Sequence, residues 1–270
     1  MKNALLVMRD AIRELSHRKL IATLAVLALG VTLLLGQLVS WQQHTVEMGM
    51  NQADQDQVAH GKQADPKPSE MMEAGREQMF GVFQAEFFGI SGFCGIIVAL
   101  FVFSTVVAAP LRRKELRSIL ARPLTRSSYI AGRMSAGVVV LAVFWLFMGF
   151  AFLWFFRKQG SVLPTIVRFA PLLLFLKCLM LGMIALALSL FVRPALAAVL
   201  TFFLSSDWVS AQGVLYLILP GDDRLSIGTQ LLHGRAMGIH DVLLASAYAL
   251  SIAVAAAACA LLRFRRIDLA

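Results

Sequence analysis

Two ionisable residues, Lys177 and Asp207, each interrupt a long apolar run of the sequence. A single charge buried at the centre of a bilayer costs about 2.5–3.5 kcal/mol on the insertion scale. Lys177 lies 16 residues before Arg193, and Asp207 lies 14 residues after it. If the two runs form antiparallel helices joined near Arg193, both charges lie at a similar depth, about 21–24 Å from the turn. The spacing therefore predicts a buried ion pair, which either clamps two membrane helices together or lines a polar path.

The segment Gly89-Ile-Ser-Gly92 has the GxSG form found in rhomboid intramembrane proteases. A serine nucleophile needs a histidine base within hydrogen-bonding reach, which in those enzymes a later span supplies. The last apolar run contains no histidine, and His240 lies just before it. The motif therefore indicates close helix packing through small residues rather than proteolysis, and no catalytic residue is predicted.

Metal and nucleotide chemistry are also poorly supported by the sequence. His44 and His60 stand in a segment rich in methionine, but their separation of sixteen residues is not a ligand spacing. The three cysteines, Cys94, Cys178 and Cys259, fall within apolar runs, which favours neither disulfides nor zinc. The sequence has no G-x-x-x-x-G-K-[ST] motif, so P-loop hydrolysis of ATP by this chain is excluded. No cofactor or metal is expected.

The composition is that of an integral membrane protein. Of the 270 residues 59% are hydrophobic and 15% are charged, with a mean hydropathy of +0.74, whereas soluble domains have about a quarter charged residues. An all-α membrane domain covering residues 1–270 follows, because a span needs about 20 apolar residues. Six runs meet that length: 20–41, 83–111, 134–156, 166–192, 194–219 and 242–262.

The distribution of basic residues predicts the orientation. Of the 25 Lys and Arg residues, sixteen lie on the side of the two termini and eight on the other side. The excess on one side places both termini in the cytoplasm and leaves 42–82 as an external loop. The net charge of +9 is concentrated at the ends of the apolar runs, so the expected partner is membrane lipid and not nucleic acid.

The first nineteen residues carry an amphipathic helix. Leu5, Met8, Ile12 and Leu15 recur at helical spacing, with charged residues elsewhere on the helix. Such a helix lies in the membrane interface. It either orients the chain or braces the first span, which we interpret as a retained anchor because no cleavage site follows it.

The connection 112–133 is strongly basic, with seven Lys or Arg residues and one acid, Glu115. The stretch from Arg113 to Arg133 resembles the first cytoplasmic loop of type-2 ABC exporter permeases. The tail from Phe264 to Leu269 also resembles the basic and then acidic ending of that family. The matching residues are Glu115, Leu116, Leu120, Pro123, Thr125, Arg126, Tyr129, Gly132 and Arg133.

The resemblance implies a half-transporter that pairs with itself or with a second permease and binds two cytoplasmic ABC ATPase subunits, in the plasma or inner membrane of a bacterium. A helix over 115–120 would dock into the ATPase, with Glu115 as an anchoring charge and Pro123 ending the helix. A polar re-entrant segment is implied over 220–240. The expected coupling residues are Glu115, Leu116, Leu120, Pro123, Arg126, Tyr129 and Arg133. The alternative is a membrane anchor or assembly subunit that recruits a cytoplasmic partner without moving a solute.

Overall fold

The computed structural model of the protein describes residues 2–17, 30, 37, 68–112, 125–158, 165–204 and 238–266. Within these ranges the regular structure is entirely helical, as the sequence predicts. The helices are α1 (Lys2–His17), α2 (Pro68–Arg112), α3 (Arg126–Lys158), α4 (Thr165–Ser189), α5 (Pro194–Leu204) and α6 (Ile239–Arg265).

Four of the described helices, α2, α3, α4 and α6, are long and apolar enough to cross a membrane. The protein is therefore a multi-pass membrane protein. The predicted span 20–41 lies outside the described residues apart from Gly30 and Gln37, which are helical, and the predicted span 194–219 is described only as far as Leu204. The total of six spans and the cytoplasmic position of both termini stay predictions.

Helix α3 begins at Arg126, whereas the sequence interpretation extended the cytoplasmic loop to 133. Thr125 caps this helix, because its Oγ1 accepts a hydrogen bond from the Ser128 N–H at 3.3 Å. Its carbonyl oxygen also accepts the first helical hydrogen bond, from the Tyr129 N–H at 3.1 Å. A threonine hydroxyl at this position satisfies an N–H that has no partner within the helix. The last residues of the predicted loop thus form the first two turns of α3.

Helix α4 is the centre of the bundle. It packs most extensively on α2 and α6 and also contacts α3 and α5. In its most apolar stretch 72% of the residues are buried, against 22% in α6, which lies at the periphery of the described helices. A membrane helix that is enclosed on all sides can hold polar groups away from lipid, so the position of α4 bears directly on its lysine.

Glycines allow α2, α3 and α4 to approach closely around the ring of Phe103, which is fully buried. A Cβ placed on Gly137 of α3 would lie 2.9 Å from this ring, and a Cβ on Gly182 of α4 would also overlap it. The same arrangement recurs at Gly95, where an added Cβ would lie 2.6 Å from the Trp145 ring. Small residues at helix contacts are the usual means of close packing in membranes.

Helix α1 packs against α3. Its buried residues, Val7 and Ala11, are one helical turn apart, while Leu5 and Leu6 are exposed. The helix thus has an apolar surface beyond the part that contacts the bundle. That pattern fits the predicted helix at the membrane interface, where lipid would cover the exposed leucines.

Candidate coupling and intramembrane sites

Two aromatic contacts show which helix ends lie together. Tyr129, at the start of α3, stacks on Phe264, at the end of α6. The guanidinium carbon of Arg263 lies 5.0 Å from the ring centroid of Phe191, in the turn between α4 and α5. The start of α3, the α4–α5 turn and the end of α6 therefore share one end of the bundle.

We call this end the basic end. Among the described residues of the α4–α5 turn, the first two turns of α3 and the last turns of α6 there is no acidic side chain. Of the acids whose side chains the structure describes, Glu86 and Asp241 lie toward the other end of their helices, on α2 and α6, and Asp10 is exposed on α1, which packs against α3. The basic end is defined by Arg133, Arg193, Arg263, Arg265 and Arg266.

Two of the predicted coupling residues, Tyr129 and Arg133, are built into the bundle at the basic end. Tyr129 is 1% exposed and Phe264 is 2% exposed. Their rings are stacked, with centroids 6.3 Å apart and planes inclined by 21°. Arg133 follows one helical turn later, and its guanidinium carbon lies 5.4 Å from the Tyr129 centroid. This cation–π geometry partly compensates the burial of the arginine side chain.

The remaining predicted coupling residues fall at or before the start of α3. Arg126 is its first residue. Glu115, Leu116, Leu120 and Pro123 lie outside the described residues. The structure therefore does not test the docking helix expected over 115–120, which stays a prediction.

Lys177 occupies the middle of α4, twelve residues from Thr165 and twelve from Ser189. At 1.5 Å per residue it lies about 18 Å from either end of the helix. Its side chain is 7% exposed, so it points into the protein and not toward lipid. Asp207 lies outside the described residues, so the predicted ion pair between them stays a prediction. A lysine enclosed at mid-membrane depth is nevertheless a functional candidate by its position alone.

Ser91 of the GxSG segment is occupied within its own helix. It is buried, and its hydroxyl donates a hydrogen bond to the carbonyl oxygen of Phe87 at 2.7 Å. A Cβ added to Gly92 would lie 3.2 Å from Leu174 of α4, which marks a close helix contact. His240 is exposed in the first turn of α6. This geometry supports the packing interpretation of the motif.

The other candidate ligands considered in the sequence are cysteines and histidines. Cys94, Cys178 and Cys259 are not joined in disulfide bonds within the described residues. The histidines considered for a metal, His44 and His60, lie outside the described residues.

Sequence reasoning missed the residues that hold the basic end together, namely Phe191 and Phe264, and the capping role of Thr125. The capping signal was present, since a threonine directly after a Pro-Leu break is a typical helix start. The ring contacts were not foreseeable, because they join segments more than sixty residues apart in the chain.

A bundle of long apolar helices with a basic end and a buried central lysine is the architecture of a multi-pass membrane protein. The model of the ABC-2 family transporter proteins matches residues 6–224. The chain therefore belongs to this family, as the resemblance predicted. No curated protein and no solved structure matches the chain. Helix α6, which carries the Phe264 partner of Tyr129, lies beyond the matched residues.

Proposed function

We propose that this permease subunit belongs to an ATP-driven exporter, in which it forms a dimer, or pairs with a second permease, and binds cytoplasmic ATPase subunits. Permeases of the ABC-2 family normally work with a cytoplasmic ATPase and are generally not catalytic themselves. The basic end faces the cytoplasm in this proposal, since arginines near span ends are retained on that side. The connection 113–124 then lies where an ATPase would dock.

The observation that carries the proposal is the burial of Tyr129 against the end of α6, with Arg133 placed over the Tyr129 ring. Because α3 begins directly after the docking segment, a displacement of that segment moves the first turns of α3. These turns do not move independently, since the Tyr129 ring is stacked on Phe264. A displacement of the segment 113–124 by the ATPase would therefore move both α3 and α6. This is the mechanical connection that coupling of ATP hydrolysis to transport requires.

The transported solute passes close to α4 in this proposal. Lys177 is buried at mid-depth in the helix that contacts α2, α3, α5 and α6. A charge in that position either contributes to a polar path for the solute or forms the predicted clamp with Asp207.

The test begins with copurification of the chain with the ATPase encoded beside its gene, followed by ATP hydrolysis in liposomes with and without candidate solutes. We expect Glu115→Lys to abolish stimulation of the ATPase while leaving membrane insertion intact. Charge reversal in a surface loop, which is the place that this proposal gives to Glu115, changes folding stability by less than about 0.5 kcal/mol, so the loss would report docking. Arg157→Glu is the matched control, because Arg157 is exposed near the end of α3, outside the apolar span and away from the basic end.

Normal transport by Glu115→Lys would contradict the proposed docking. Stable binding of the ATPase without any solute-dependent hydrolysis would favour the anchoring subunit over a transporter.

A further inference from the structure

Exposed arginines and an exposed aromatic ring meet at the basic end, between the α4–α5 turn and the end of α6. Phe191 is 63% exposed although it lies in the turn between two apolar helices. The guanidinium carbon of Arg263 lies 5.0 Å from its ring centroid. Arg193 is also exposed and follows Phe191 by two residues in the same turn, so both arginines belong to the surface around this ring.

The charge of this surface is uniformly positive. Arg265 and Arg266 are exposed and extend the cluster beyond Arg263. No acidic side chain occurs in the described residues of the turn or of the last turns of α6. Asp268, the next acid in the sequence, lies outside the described residues. Four exposed arginines repel one another, and an anion placed between them relieves that repulsion.

The exposed apolar side chains beside these arginines indicate which kind of anion the surface binds. Exposed apolar side chains border them, with Leu196 53% exposed and Leu262 59% exposed. Exposed apolar side chains at the end of a membrane span are suited to contact with lipid. Arg263 directly follows Leu262, and its guanidinium lies over the Phe191 ring. Arginine side chains at span ends extend toward the headgroup layer, so this position suits contact with phospholipid phosphates. An acidic protein would have to enter the headgroup layer to reach it.

We propose that this surface binds an anionic phospholipid, with the phosphate between Arg193 and Arg263 and an acyl chain along Phe191 and Leu262. Guanidinium groups match phosphate oxygens in shape and can bind them through two parallel hydrogen bonds. The cation–π contact keeps Arg263 in place before the lipid arrives, which lowers the entropy lost on binding. Because the bound lipid would bridge the α4–α5 turn and α6, it would join two parts of the basic end. The proposal does not depend on the direction of transport or on the ATPase.

The test measures lipid binding by the full-length protein in nanodiscs of phosphatidylcholine, with phosphatidylglycerol titrated in as the probe. Retained lipid is counted by native mass spectrometry after transfer to detergent. We expect preferential retention of phosphatidylglycerol, reduced at high salt. Arg193→Gln or Arg263→Gln alone should weaken the affinity of the protein for phosphatidylglycerol about fivefold. For the double variant Arg193→Gln/Arg263→Gln the two effects should multiply to about 25-fold.

Arg168→Gln is the matched control, since Arg168 is an exposed arginine near the start of α4, away from the basic end. It should retain the preference. Phe191→Leu should weaken binding without any change in charge, and Arg263→Lys should restore part of the affinity lost in Arg263→Gln. Equal retention of the two lipids by the unmodified protein, or an unchanged preference in the double variant, would overturn the proposal. If the double variant lost phosphatidylcholine and phosphatidylglycerol to the same extent, the proposal would also be overturned, because the arginines would then not select the charged lipid.

Discussion

The ring of Tyr129 is stacked on that of Phe264, with centroids 6.3 Å apart and planes inclined by 21°. The two residues belong to the first turn of α3 and the last turn of α6, and both side chains are almost fully buried. The contact joins α3, which follows the proposed docking segment 113–124, to α6. We therefore expect this contact to contribute to the stability of the bundle and to the coupling of ATP hydrolysis to transport.

Phe264→Leu tests this connection. Leucine keeps most of the buried apolar area but removes the aromatic stacking, so we expect a loss of about 0.5–1.5 kcal/mol in stability. Thermal unfolding in detergent measures it. Phe101→Leu is the control, because Phe101 is 54% exposed on α2 and should show little change. If the contact also transmits motion, Phe264→Leu should lower the transport obtained per ATP hydrolysed, whereas an unchanged ratio would confine its role to stability.

The packing of Phe103 predicts a sharp difference between two glycine substitutions. Gly182→Ala would place a methyl group against one edge of the Phe103 ring, and the backbone of α3 at Gly137 lies close to the opposite edge, so the ring has little room to move aside. We expect a loss of about 1–3 kcal/mol from this overpacking. Gly89→Ala is the matched control, since nothing lies within 4 Å of its added Cβ. Combining Gly182→Ala with Phe103→Leu should recover stability, and a failure to recover would mean that the ring is not the obstacle.

The cap at the start of α3 predicts a local effect. Thr125→Ala removes the hydroxyl that accepts the Ser128 N–H, at a cost of about 0.5–2 kcal/mol. Faster amide hydrogen exchange should follow in residues 126–130. Thr125→Ser retains the hydroxyl and should exchange like the unmodified protein. Equal exchange in all three proteins would show that packing of Tyr129 alone fixes the start of the helix.

Much of the fold was predictable because membrane spans depend on local composition. Apolar length alone predicted the helices that became α2, α3, α4 and α6, and the family followed from the order of residues between Arg113 and Arg133. Helix α3 begins at Arg126, eight residues before the predicted span 134–156. The turns that carry Tyr129 and Arg133 contain polar residues, and an apolar run alone does not show that a helix extends through them.

The contacts that define the basic end were not predictable in this way. Phe191 and Phe264 appear in the sequence as ordinary apolar residues at the ends of spans. Their roles depend on which spans lie side by side, and the composition of each span does not show which other spans it contacts. Lys177 differs, because the cost of a buried charge makes it conspicuous in the sequence itself.

The buried lysine supports the last prediction. If Lys177 pairs with Asp207, removing one partner leaves an uncompensated charge in a low-dielectric interior, at a cost of about 3–5 kcal/mol. Replacing both residues with apolar ones should be much milder, because no charge then remains to be solvated. A double-mutant cycle with Lys177→Met and Asp207→Leu, measured as thermal stability in detergent, gives the coupling energy directly. A coupling energy near zero would show that the two side chains face different environments, and the polar path would then be the better interpretation of Lys177. A stable double variant that still transports would assign the pair to a clamp alone, whereas a stable double variant without transport would place both charges on the solute's path.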